Sequence, residues 1–187
     1  MVRSVVPTDI YTPVGTTDPD RHPVVLWAGP IAGDDSISLI EEAAASTREM
    51  IDNVEFIVVV HGHEADQLKA DIAERDLPIT VALIEEVEPI VDLIERTWAC
   101  VTTPGRGLPH GFAMLALSAG VPLISIGKLD EKHGFENHLN YIGIDDEPDA
   151  VAYALQLLRR WTTWSLRIGI AGQKLVEERY STRSVAI

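Results

Sequence analysis

The stretch VVLWAG, residues 24–29, is a run of five apolar residues that ends in a glycine. Similar short runs follow it along the chain: FIVVV from Phe56, ITVAL from Ile79, ACVT from Ala99, PLISI from Pro122 and YIGI from Tyr141. These runs have the length of strands, and they are too uniformly apolar for a sheet with one face in water. The sequence therefore predicts six strands that are buried on both faces.

Helical stretches separate the runs. Three have one apolar face, at residues 38–44, 64–75 and 87–97, and the fourth, at residues 111–119, is small and apolar. Ser38, with Glu41 three residues later, predicts a capping box at the start of the first helix. Two more helices are predicted after the sixth run, beginning near residues 146–148 and near residue 165. Because strands and helices alternate, we expect an α/β, Rossmann-like, doubly wound parallel six-stranded sheet with helices on both faces, ending in two C-terminal helices.

Length and composition set the domain organisation. A chain of 187 residues that is 46% hydrophobic predicts a single domain, which we assign to residues 23–187. Residues 1–22 contain three prolines and a glycine, which is typical of an extended linker segment. The sequence has no apolar run near twenty residues and no targeting pattern, so we expect a cytoplasmic protein without a membrane span.

The net charge and the missing motifs exclude several classes of function. With 29 acidic against 15 basic residues, the chain carries a formal charge of −14, which argues against nucleic acid as a partner. The phosphate-binding motif GxxxxGK, the dinucleotide motif GxGxxG after the first strand and the nucleophile motif GxSxG are all missing. Kinase, nicotinamide dehydrogenase and hydrolase activities are therefore disfavoured, and no cofactor is predicted.

Several segments, taken in order, resemble one family. They are VVPTD from Val5, VVLWAG from Val24, the loop from Pro104 to Phe112, ALSAGVP from Ala116 and LVEERYS from Leu175. In order and spacing they resemble the C-terminal, donor-binding half of a GT-B-fold retaining glycosyltransferase of the sucrose-synthase-like "glycosyl transferases group 1" family. The resemblance implies a nucleotide-diphosphate sugar donor as substrate. It also implies that the N-terminal acceptor-binding half is absent, since Met1 lies just before the linker-like segment.

The resemblance implies a donor site at the carboxyl ends of the strands, with the diphosphate at a helix N-terminus. The matching feature here is the loop 105–110, which leads into a predicted helix at residue 111. The predicted donor-binding residues are Gly29, Glu85, Arg106, His110, Gly111, Phe112, Ala113 and Leu115. No catalytic residue and no metal ligand is predicted. Close packing of helix on sheet explains the small residues of this loop equally well.

Four positions depart from the family pattern. Where the family has an arginine and a lysine that neutralise the diphosphate, this chain has Pro30 and Asp35. Where it has two glutamates eight residues apart, a gapless match counted back from Gly120 puts Gly107 and Leu115, whereas counting from Gly111 puts His110 at the first of the two. Losing both cations removes about 3–6 kcal/mol of charge-assisted hydrogen bonding, so we expect weak donor binding.

Two basic residues are candidates to replace the lost charge. Arg106 lies in the same loop, and Lys128 follows the fifth strand. His110 is a candidate to donate a hydrogen bond to a phosphate or a sugar hydroxyl, although a helix-start histidine turned to solvent is the simpler interpretation.

Two acidic or histidine-rich segments admit two interpretations each. His61, His63 and Glu64 are competent zinc ligands, but without a fourth ligand at a recognisable spacing a turn is favoured. Glu85 and Glu86 follow the third strand, where a nucleobase or ribose is expected, and they are equally consistent with a solvated acidic turn.

Two classes of function remain, with a third of lower rank. The first is a glycosyltransferase donor domain, incomplete or weakly active alone, that works with a separate N-terminal half. The second is a non-catalytic interaction or scaffold module that self-associates through Trp161, Trp164 and the last helix, unless those tryptophans belong to the core. The third is a sugar-nucleotide epimerase of related fold.

Overall fold

The computed structural model describes residues 23–29, 34–60, 62–75, 79–83 and 90–181. The strands are β1 (Val24–Ala28), β2 (Glu55–Val60), β3 (Ile79–Leu83), β4 (Thr97–Thr102), β5 (Leu123–Ile126) and β6 (Ile142–Ile144). The helices are α1 (Asp34–Met50), α2 (Gly62–Arg75), α3 (Ile90–Arg96), α4 (Gly111–Ser118), α5 (Pro148–Arg160) and α6 (Thr162–Arg179), with a 3₁₀ turn at Glu131–His133. The expected linker, residues 1–22, lies outside the described residues.

The six strands form one sheet in the order β3-β2-β1-β4-β5-β6, and every neighbouring pair is parallel. β1 lies between β2 and β4, and all five of its residues are buried. Burial on both faces is what its uniformly apolar sequence requires. The predicted fold class, a doubly wound parallel sheet ending in two helices, is confirmed.

Successive residues of β1 point to opposite faces of the sheet and enter two different cores. Val25 and Trp27 pack in the first core, which also holds residues of α1, α2 and α5. Leu26 and Ala28 pack in the second core, with residues of α3, α4 and α6. Cys100 of β4 lies in the second core with no exposed surface, and burial raises the pKa of its thiol well above the usual range, so that it stays protonated.

The first helix begins earlier than its sequence predicts. α1 starts at Asp34, and Ser38 lies inside the helix as an exposed residue, so the predicted capping box at Ser38 is wrong. Two aspartates occupy the first two helical positions, where the positive end of the helix dipole favours acidic residues. The last helix also begins early, at Thr162 instead of near Ser165, and Ser165 is buried.

Two glycines place α6 directly against α4 and the turn that follows it. A methyl group at Gly169 would overlap the carbonyl oxygen of Gly120, and one at Gly172 would overlap the side chain of Leu117. The side-chain amide of Gln173 donates a hydrogen bond to the carbonyl of Ser118, at 3.0 Å. The last helix therefore supports the end of α4 opposite to its N-terminus.

A buried asparagine orders the segment between β5 and β6. The Nδ2 atom of Asn140 donates to the carbonyl of Gly134, and its Oδ1 atom accepts from the backbone amide of Glu136, each at 2.9 Å. The hydroxyl of Tyr180 donates to the carbonyl of His133 at 3.0 Å and so ties this segment to the end of α6. The segment is thereby ordered internally and held against the end of α6.

Over the described ranges, none of the helices combines the length and the apolar character needed to cross a lipid bilayer.

Candidate functional site

The carboxyl ends of β1 and β4 form the point where the sheet changes direction. β1 is followed in sequence by α1 on one face, and β4 by α4 on the other face. In an open parallel sheet, the loops leaving two such neighbouring strands diverge and open a crevice that commonly binds ligands. The candidate site lies at this crevice.

The floor of the crevice is tightly packed where β1 ends. A methyl group at Gly29 would come within 3.0 Å of the backbone nitrogen of Thr103, just after β4. Glycine therefore lets the two chain segments approach each other closely at this point. Gly29 is buried and has this packing role, whether or not it also contacts a donor.

The hydroxyl of Thr102 joins three backbone segments at the crevice. It donates a hydrogen bond to the carbonyl of Ala28, the last residue of β1, at 2.5 Å. It also accepts a longer hydrogen bond, at 3.5 Å, from the backbone amide of His110, which precedes α4. Thr102 has no exposed surface; its bond to Ala28 is buried, and the bond from His110 is partly buried.

The loop after β4 contains a tight two-residue turn. Gly105 and Leu108 exchange backbone hydrogen bonds of 2.9 and 3.1 Å across the turn. Its central residues, Arg106 and Gly107, have φ values of 53° and 77°, both in the left-handed region, as in a type I′ turn. A left-handed conformation is strained for arginine but not for glycine, and such strain is common at functional sites.

The segment after β5 supports this turn. The backbone amide of Asp130 donates to the carbonyl of Gly107 at 2.9 Å, and a methyl group at Gly107 would come within 2.8 Å of Asp130 Cβ. Gly107 is therefore required both by its positive φ and by this contact. These two constraints explain why glycine occupies this position, which the gapless match pairs with a glutamate in the family that this chain resembles.

Charge near the turn is partly balanced. Asp130 forms an ion pair with Lys132, and a hydrogen bond from the Lys132 side chain lowers the pKa of the Asp130 carboxyl, which is negative at neutral pH. Within the described part of the chain, neither Arg106 nor Lys128 has an acidic partner, and both are exposed. Both side chains are therefore exposed and free of a recorded acidic contact in the described part of the chain.

α4 begins at the crevice without a side-chain cap. His110 precedes the helix, and its side chain makes no capping hydrogen bond to the helix amides. The first turn contains no acidic residue, and a methyl group at Gly111 would meet no atom within 4 Å. The rings of His110 and Phe112 lie parallel, 8° apart in plane angle, with centroids separated by 6.0 Å. The helix N-terminus is thus uncapped by acid and sterically open.

The structure brings five of the predicted donor-binding residues to this crevice: Gly29, Arg106, His110, Gly111 and Phe112. Ala113 has its methyl group in the second core, and Leu115 packs against the same core while half-buried. Their side chains support the helix, and a ligand at the helix start would meet only the backbone of Ala113. Donor binding by these residues stays a prediction.

The described structure does not bring the remaining predicted residues to the crevice. Glu85, with Glu86, Pro30 and His61, falls outside the described residues. Asp35 is exposed in the first turn of α1. In the described ranges no three histidine, cysteine or acidic side chains gather as metal ligands.

Sequence reasoning missed Thr102 and Asp130. The signal for Thr102 was a hydroxyl residue at the end of an otherwise apolar strand, and that for Asp130 was an acid two residues after Lys128. Neither signal indicates a partner until the fold brings β1, β4 and the segment after β5 together.

The architecture defines a Rossmann-like domain with a crevice where its sheet changes direction, and solved structures show which fold this is. No protein-family profile and no curated protein matches the sequence. Solved structures do match: the C-terminal domain of the glycosyl transferase group 1 protein LpcC from Francisella tularensis superposes with a TM-score of 0.71 at 16% identity, over 95% of this chain and 99% of that domain.

Two larger proteins match equally well. Sucrose-phosphate synthase from Thermosynechococcus elongatus gives a TM-score of 0.73 at 18% identity, over 98% of this chain and 49% of that one. Anabaena HepE, solved with UDP and glucose, gives 0.73 at 13% identity, over 97% of this chain and 52% of that one. The chain therefore has the fold of the C-terminal domain of a GT-B glycosyltransferase and spans about half the length of these two proteins.

Proposed function

We propose that this chain is a glycosyltransferase donor domain that binds the diphosphate of a sugar nucleotide at the start of α4. The observation that carries the proposal is the open helix N-terminus at the crevice, with Gly111 exposed and no acidic residue in the first turn. Unpaired amides and the helix dipole favour an anion at such a terminus.

Arg106 is the cation that completes the site in this proposal. Its turn is held by Asp130 beside the start of α4, and its guanidinium has no acidic partner within the described residues. Arginine binds phosphate oxygens through two parallel hydrogen bonds, which a lone helix terminus cannot provide. Arg106 thereby takes over charge that the resembling family supplies at the positions of Pro30 and Asp35.

The ligands of similar structures support the choice of substrate class. HepE was solved with UDP and with UDP-glucose. We extend this chemistry to the present crevice because it lies in the same kind of fold. Transfer additionally requires an acceptor held against the donor, so we propose that turnover needs acceptor-side residues beyond this domain.

Binding of nucleotide is testable by recording amide spectra of the ¹⁵N-labelled chain with UDP, GDP and ADP. We expect at least one of them to shift the amides of Gly111, Phe112 and Ala113, with a dissociation constant of about 1 mM, equivalent to about 4 kcal/mol. The weak affinity follows from a single arginine doing the work of two cations.

Uridine is the matched control, because it has the base and ribose of UDP but no phosphate, and it should leave these amides unshifted. Absence of any shift with all three nucleotides at several millimolar would contradict the proposal. Shifts confined to α5 and α6 would contradict it as well.

A second candidate function, self-association without catalysis, is favoured by one observation. Trp161 is 56% exposed between α5 and α6, and Leu166 and Ile170 are exposed on α6, whereas Trp164 is half-buried against the first core. We expect this candidate to yield a dimer in sedimentation velocity that Ile170→Ser weakens about tenfold, the effect of removing one buried aliphatic contact. A monomer at all concentrations would eliminate it.

A further inference from the structure

We propose that Thr102 is a positioning residue, which holds the start of α4 against the end of β1 and so sets the geometry of the anion site. The proposal rests on the function proposed above for its effect on ligand binding. Its structural part concerns only the backbone around Thr102 and is measurable without any ligand.

The hydrogen-bonding capacity of one hydroxyl matches the two groups around it. A hydroxyl has one proton to donate and lone pairs to accept. Thr102 donates its proton to the carbonyl of Ala28 and accepts from the amide of His110. A carbonyl and an amide from different chain segments cannot bond to a methyl group, so valine at this position would leave both without this partner.

The two hydrogen bonds of Thr102 lie where the pairing of β1 with β4 ends and where the chain enters α4. Backbone pairing between β1 and β4 is recorded as far as Trp27 and Val101, one residue before Ala28 and Thr102. Beyond that point, the Thr102 side chain continues the connection between the strands. The same side chain reaches the residue that precedes α4, so the helix start is fixed relative to both strands that border the crevice.

A threonine at this position is not explained by packing alone. The three residues that precede it, Ala99, Cys100 and Val101, are apolar, and a buried hydroxyl is costly to desolvate unless it is hydrogen-bonded. Valine has nearly the same shape without the hydroxyl and is more often fully buried. The hydroxyl is therefore best explained by the two backbone groups that it bonds.

The same strand offers a matched control. Thr97, the first residue of β4, is also fully buried, and its hydroxyl donates to the carbonyl of Leu93 at 2.8 Å. Thr97 lies at the amino end of the strand, away from the crevice. Thr97→Val and Thr102→Val thus each remove one buried hydroxyl from β4, at the amino end and at the carboxyl end of the strand respectively.

The first measurement is hydrogen exchange of the Met114 amide, which bonds to the carbonyl of His110 at 3.0 Å in the first turn of α4. We expect Thr102→Val to accelerate this exchange at least about tenfold through local opening, and Thr102→Ser to stay within about threefold of the natural chain. Thr97→Val should not accelerate it selectively. Equal exchange in Thr102→Val and Thr97→Val would overturn the positioning role.

The second measurement is the affinity for UDP of the same four proteins. We expect Thr102→Val to weaken UDP binding at least about tenfold, with Thr102→Ser restoring it and Thr97→Val leaving it unchanged. If the natural chain binds no UDP, the proposed function fails while the exchange result still decides the role of Thr102. If it binds UDP and Thr102→Val binds equally well, the positioning role fails and the donor function stands.

Discussion

Gly169→Ala is expected to lower the free energy of unfolding by about 3 kcal/mol, the upper part of the range for overpacked cores. The added methyl group would overlap the carbonyl oxygen of Gly120, and a backbone atom cannot rotate away as a side chain can. Gly120 is itself fixed by a φ of 77° in the turn after α4. The better helix propensity of alanine stabilises the helix by at most about 1 kcal/mol, which is less than the expected cost of the steric overlap.

Urea denaturation of three glycine variants checks this explanation. Gly172→Ala should cost less, since its methyl group meets mainly the movable side chain of Leu117. Gly111→Ala, with no atom nearby, should change stability by less than about 0.5 kcal/mol. The expected order of destabilisation is therefore Gly169, Gly172, Gly111. A Gly169→Ala chain as stable as the natural one would show that α6 does not pack on this turn.

Arg106→Gly is expected to weaken the binding of UDP by about 10-fold to 100-fold while leaving the fold as stable as before or more so. The loss in affinity corresponds to one charge-assisted interaction with phosphate, worth about 1.5–3 kcal/mol. Stability should hold or rise by up to about 1 kcal/mol, because glycine adopts the φ of 53° without strain. Opposite signs for stability and affinity would identify Arg106 as a residue retained for binding.

Arg96→Gln is the matched control for charge. Arg96 is exposed at the end of α3, just before the amino end of β4, so its loss changes the net charge equally but on the opposite edge of the sheet. Titration calorimetry with UDP at fixed ionic strength should give unchanged affinity for this variant. Equal loss in the two variants would mean that long-range charge, and not contact by Arg106, governs binding.

Hydrophobic patterning predicted the fold well, because burial of strands on both faces leaves a direct trace in the sequence. The run VVLWA is apolar throughout, and in the structure each of its residues is buried between two layers of helices. Helix ends were less predictable. Ser38 has the residue type of a cap, yet α1 starts four residues earlier, where two aspartates suit the helix dipole.

The site was predictable only in part, because its decisive contacts join segments far apart in sequence. The loop 105–110 was identifiable from its glycines, but the hydrogen bond from the Asp130 amide to the Gly107 carbonyl, which supports the turn, was not. The hydroxyl of Thr102 donates to the carbonyl of Ala28, 74 positions away in the sequence. Local patterns contain neither contact. The glycine contacts of α6 escaped prediction for the same reason, since helical spacing reveals an inward face but not what lies opposite.

The reactivity of the buried thiol of Cys100 measures how often the central strands of the sheet separate. It is the only cysteine in the sequence, and its strand lies between β1 and β5 at the centre of the domain. An alkylating reagent attacks the thiolate, which is both inaccessible and suppressed while these strands remain paired. The rate of alkylation of the natural chain in dilute, denaturant-free solution therefore reports how often the central strands separate.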